Sequence, residues 1–169
     1  MEFRNDLTGE VVYRAELLKT LGNPKPPTVA NLESYGYTLI LEGAQPRPAN
    51  AYETIERDGV RKDAKGQWYT KYRIGPVFAD TKDDSGNVIA TADENQAAYR
   101  KNVDDKKAAD VRVERTQKLK DSDWTQTADT ALTDTKKAEW VTYRKALRDL
   151  PTTSGSDWPH KVTFPTEPT

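Results

Sequence analysis

The residues able to do chemistry are few and scattered. His160 is the single histidine, and there is no cysteine. A zinc site needs three or four ligands at suitable spacing, and a Ser–His–acid triad needs its imidazole held by a buried acid. His160 lies in a proline-flanked, extended tail, so the expectation is an exposed bystander. Disulfides, thiolate metal ligation and a cysteine nucleophile are excluded outright. Acidic pairs such as Asp83-Asp84 and Asp104-Asp105 are plentiful, but adjacent residues on a helix point in different directions. A working acid–base pair must share a cleft that drives the two pKa values apart. Gly59, Gly66, Gly75 and Gly86 are spread through strands and turns and form no phosphate-cradling loop. What remains is aromatic: four Trp and eight Tyr. Their faces could stack on sugars. With only 35% of the chain hydrophobic, however, Trp68, Trp124 and Trp140 are expected to be spent on core. The sequence therefore assigns no catalytic residue, no cofactor and no metal, and the expectation is a protein that is not an enzyme.

The elements that must position these rings are clearest near the C-terminus. Thr133 is a good helix N-cap, because its hydroxyl can accept from a free N–H of the first turn. Trp140, Tyr143, Leu147 and Leu150 follow at spacings of three, four and three, which puts them on one helical stripe. Ala138 and Val141 widen it. Lys136, Lys137, Lys145, Arg148 and Asp149 make the wet face. Pro151 is expected to end the helix, since it biases Leu150 away from helical dihedrals. Trp124 is expected to return over the stripe. Thr152–Thr169 is expected to be extended, with Trp158 and Phe164 pinning it to the helix.

This stretch resembles the phage tail assembly chaperone family, similar to tail-fibre assembly proteins. The resemblance is carried by Asp123-Trp124, Asp129, Trp140, Tyr143-Arg144, Leu147-Arg148-Asp149 and Pro151. Phe164-Pro165-Thr166-Glu167-Pro168 stands where the family commonly has Trp-Pro-x-x-Pro, with Phe for Trp. The best match is read over residues 93–168. A weaker resemblance to the front module of such proteins covers residues 1–80, through Pro24 to Pro27, Leu32 to Tyr37 and Gly66 to Trp68, with Tyr72 where a second Trp is common. The resemblance implies protein–protein work in a phage tail. Two roles follow: a structural or adaptor component near the tail fibre or baseplate, resident in the virion tail, or a transient fibre-assembly chaperone absent from the mature virion. Either would be made in the host cytoplasm. Its partners would be fibre or baseplate subunits, with homo-oligomers also open.

The rest of the chain reads as α+β. Residues 1–80 are expected to form a small module. It would hold a strand at Val11–Tyr13, short helices at Ala15–Leu21 and Val29–Tyr35, and an extended Pro24–Pro27 connector. A buried strand at Tyr37–Leu41 and a hairpin of Tyr52–Asp58 with Gln67–Ile74 complete it. Residues 81–92 read as a linker. Asp93–Lys120 contains no Gly or Pro and reads as one long, charged spacer helix, with Asp93 and Glu94 complementing its positive end. Tyr99, Val103, Val111 and Leu119 are spaced in fours and eights. Each step of four overshoots a full turn by about 40°, so they define neither a fixed face nor a heptad seam. The helix is expected to be thin and largely solvated, touching different neighbours along its length. Residues 121–169 form the Trp-anchored C-terminal module.

Charge and hydropathy agree with small, thin-cored modules: 26 basic against 27 acidic residues and a mean hydropathy of −0.90. No concentration of Lys and Arg is present to release counterions from a duplex, which argues against nucleic acid. No run approaches the ~20 apolar residues of a membrane span, and the charged N-terminal stretch lacks the apolar segment of a signal peptide.

Overall fold

A computed structural model describes residues 1–23 and 28–169, and the expected Pro24–Pro27 connector lies outside them. The fold is α+β, and the chain forms two compact units, Met1–Val77 and Phe78–Thr169.

The first unit is a five-stranded sheet with two short helices. Its elements are β1 (Glu2–Asn5), β2 (Val11–Tyr13), α1 (Arg14–Thr20), α2 (Val29–Glu33), β3 (Tyr37–Leu41), β4 (Thr54–Lys62) and β5 (Trp68–Gly75). The strand order is β2-β1-β3-β5-β4, with β3 and β5 parallel and every other pair antiparallel. Residues paired across strands share a face. Phe3 stands opposite Val12 and Leu39, and on that face it meets Leu17 of α1 and Leu32 of α2. Phe3 and Leu32 are 0% exposed and Leu17 is 1%. Thr28 caps α2 by accepting from Asn31 N–H at 3.2 Å. The sequence reading missed β1, because Glu2, Arg4 and Asn5 hide the one apolar residue, Phe3, that the core is built on.

The β4–β5 turn rests on Asp63, whose carboxylate accepts from the N–H groups of Lys65 (2.9 Å) and Gln67 (2.8 Å). Gly66 takes φ +88° to close it, a conformation that costs glycine least.

The second unit repeats that turn. Asp83 accepts from Ser85 and Asn87 N–H at 2.9 and 2.8 Å, joining β6 (Thr81–Lys82) to β7 (Val88–Ala90). The expected linker thus contains a small hairpin. A lone two-stranded hairpin is marginal in water. This one is tied to the start of α3 (Ala92–Asp121). Asn95 donates to Ala79 O and Thr81 Oγ1, both at 2.9 Å, and Phe78 meets Tyr99 at 5.4 Å between ring centres. Thr91 and Glu94 form a reciprocal capping box.

After α3 come a 3₁₀ turn (Asp123–Gln126), α4 (Asp134–Thr153), a second 3₁₀ turn (Gly155–Asp157) and an irregular tail. Arg144 of α4 reaches the last turn of α3, while Trp158 and His160 reach Arg112 and Asp104 further back. Helix α4 therefore runs back along α3. Pro151 does not end it, a correction to the sequence reading. A proline three residues from the end removes little of the ladder. The N–H and hydroxyl of Ser154 both donate to Leu150 O, at 3.1 and 2.7 Å, and close the helix beyond it.

Helix α3 also differs from expectation. Val103 and Leu119 are half-buried, and a second row beside them is also buried or half-buried: Asp104, Ala108, Val111, Arg115, Lys118 and the cap residue Ser122. They are spaced four, three, four, three and four, so a continuous face is covered after all. Apart from Val111 it is made of small and charged residues, which apolar periodicity cannot reveal.

Candidate functional site

In the C-terminal module, Thr133 caps α4 by accepting from Lys136 N–H at 3.3 Å. The helix then presents its stripe inward. Trp140, Tyr143 and Leu147 form one buried cluster with Leu119, Leu132 and Phe164 packed on it, and Leu150 is also buried. Trp140 meets Tyr143 edge-on at 5.6 Å. Burial raises the Tyr143 hydroxyl above its ordinary pKa, aided by the negative charges of Glu167 and Asp121. The tail is held by rings under cations: Phe164 under Lys118 at 5.4 Å and Trp158 under Arg112 at 5.6 Å.

Trp124 departs from the core assignment. Its ring meets Trp140 at 6.0 Å but remains 53% exposed. The turn it sits in sends Ser122 and Thr125 inward, each 2% exposed. Ala138 and Val141 are exposed rather than part of the stripe. Trp68 is likewise outside any buried cluster, half-buried in the first unit with Arg4 over its ring at 4.3 Å and Lys62 at 5.5 Å. Tyr72 is half-buried on the same sheet and donates to Glu42 at 2.5 Å.

Arg144 enters the sequence reading only as part of the family pattern, and its role is seen in the structure. It is 8% exposed. Its guanidinium donates to Leu119 O (2.5 Å), Ser122 Oγ (2.7 Å) and Asp123 Oδ1 (2.7 Å). Ser122 Oγ passes a bond on to Lys118 O at 2.8 Å, and Thr125 Oγ1 donates to Ser122 O at 2.7 Å. The last carbonyls of α3 carry the negative end of its dipole, and one planar donor fork satisfies them together with an acid. The available signal was position: Arg144 follows Tyr143, one place from the apolar stripe.

His160 is not a bystander. It is half-buried, and its Nε2 lies 2.6 Å from Asp104 Oδ1, which fastens the tail to α3. Among the described residues no group of three or more ionisable ligands could hold a metal ion. No helix among them is long and apolar enough to cross a membrane.

Outside the cluster, α4 and the tail leave an open groove of about 520 Å3. It is lined by Ala138, Thr142, Tyr143, Ala146, Pro165 and Pro168, among others. The module thus combines a small aromatic core, an arginine that staples two helices, and a tail whose prolines wall an apolar furrow.

Residues 108–169 match the family model described as phage tail assembly chaperone protein. The matched segment begins at Ala108, the first fully buried position of α3, and takes in Arg144 with all its partners, α4, the tail and the groove. It narrows the resemblance read over 93–168. The match links the chain to phage tails, and the family is one of assembly chaperones rather than a known enzyme class. No curated protein and no solved structure matches the chain.

Proposed function

We propose that the chain is a non-catalytic tail-assembly factor that binds other phage tail proteins through its C-terminal module. The observation that carries this reading is the family match over residues 108–169, which coincides with the Arg144-stapled module. The groove beside α4 supplies the accessible apolar surface of that segment. Standard interfaces are built around such a core with a polar rim, and Glu139 and Thr135 stand at this one. The structural role near the fibre or baseplate is the other form of the same reading, and it differs only in whether the chain stays after assembly.

Purified virions separate the two. A chaperone is present in infected cells, bound to a tail protein, and absent from virions by quantitative mass spectrometry. Recovery near the copy number of the fibre or baseplate subunits would replace it with the structural role. If the chain forms no complex with any tail protein, both fail.

A further inference from the structure

The concave face of the first unit's sheet carries a site that the C-terminal reading does not use. Pairing places Tyr13 and Ile40 opposite Glu2, Trp68 beside Ile40, and Arg57 opposite Tyr72. With the alternation along β5, these residues and Thr70 share the face turned away from α1 and α2. Glu2 on β1 and Arg57 on β4 are separated by two strands, about 14 Å in a flat sheet. Their side chains nevertheless form a two-pronged ion pair with both bonds at 2.5 Å. Beside this strap lies a pocket of about 420 Å3 lined by Tyr13, Leu39, Ile40, Leu41, Glu42 and Tyr72, among others. Any Cβ at Gly43 would strike Thr70 O, so the chain after β3 lies directly against β5.

We propose that this pocket binds a neutral polyhydroxylated ring, of the size of one or two sugar units. Its volume sits at the lower end of the ~300–1,000 Å3 typical of small-molecule sites. Ile40 forms its floor and two tyrosine rings stand in it, which suits the C–H face of a sugar. The polar groups are planar and already held in place: Glu2 by Arg57, and Glu42 by Tyr72 and by Gln45 at 3.2 Å. The two carboxylates can accept from sugar hydroxyls without reordering. The pocket's charges balance, Glu2 and Glu42 against Arg57 and the Met1 amino terminus, so neither an anion nor a cation is favoured over a neutral ligand. Trp68 is not the stacking surface, because Arg4 and Lys62 already lie over its ring.

Saturation-transfer NMR on the full chain tests this with glucose, galactose, N-acetylglucosamine, lactose and chitobiose at about 10 mM, where millimolar binding is visible. Transfer to the ring C–H protons of at least one sugar is expected. Tyr13→Ala should weaken it about fivefold or more, and its ring is 62% exposed, so the fold is not at risk. Tyr72→Phe, which keeps the ring and drops the bond to Glu42, should weaken it less. No transfer from any sugar would overturn the proposal. So would transfer unchanged in both variants, or binding of acetate or methylammonium at these residues instead. The site is built from residues of the first unit alone and the proposed tail-binding module from the second, so either reading can fail alone.

Discussion

Phe3, Leu17 and Leu32 in the first unit and Trp140, Tyr143 and Leu147 in the second are cores of similar size. They are sealed differently. The first closes with aliphatic residues of α1, α2 and β3 packed round Phe3, and its charges stay on the sheet, as in Glu2–Arg57 and Lys71–Asp58. The second closes round a cation, and Arg144 is as much a part of the interior as the rings beside it. A thin core can be completed by a charge when that charge answers a helix end, because the carbonyls there must find donors in any case.

The largest expected effect comes from the second core. Leu147→Ala removes a fully buried side chain and should cost about 3–5 kcal/mol, with hydrogen exchange placing the loss within residues 78–169. Chemical denaturation measures it, and a loss under 1 kcal/mol would contradict the assignment of that core. Arg144→Leu follows at about 2–3 kcal/mol, since it removes the guanidinium bonds to Leu119 O, Ser122 Oγ and Asp123 and leaves Leu119 O with only the 3.1 Å bond from Ser122 Oγ. The figure is held down because Asp123 remains 66% exposed and solvated. Arg144→Lys keeps the charge but not the fork and should lose less, about 1 kcal/mol. Equal losses for Leu and Lys would mean that shape, not charge, is what Arg144 provides.

The first unit should instead show its charges through pH. The hydrogen bonds from Arg57 hold the Glu2 carboxyl below its ordinary value of 4.5, against the opposing effect of burial. A depressed folded value means that the pair's stabilisation is complete above 4.5 and is lost as pH falls through the folded value. Thermal melting of wild type against Glu2→Gln should converge in acid and separate above pH 5. A constant difference across that range would show that the pair contributes no linkage. The smallest effect belongs to Lys101–Asp105, whose side chains are 75% and 65% exposed. Lys101→Ala should leave the melting temperature unchanged.

The stripe of α4 was legible because large apolar residues at helical spacing have one place to go. The hairpin turn at Asp63–Gly66 was legible because its chemistry is local. The bounds of α3 were off by one residue at each end, as capping residues allow. What was hidden depends on partners distant in sequence. The covered face of α3 contains Ala108, Arg115 and Ser122, which signal nothing alone. Arg144 is buried only because Leu119, Ser122 and Asp123 present acceptors to it. Phe3 is core only because α1 and α2 fold over a short, polar strand. His160 gains its role from Asp104, 56 residues earlier.

The most direct test of the account is capture of phage tail proteins by the intact chain, with and without a blocked groove. Thr142 lines that groove and is exposed, so Thr142→Arg should leave melting unchanged. The account predicts that the unaltered chain retains a fibre or baseplate protein from infected cells, identified by mass spectrometry, and that Thr142→Arg loses about tenfold or more of it. Equal capture by both chains, or capture of no tail protein by either, would contradict it.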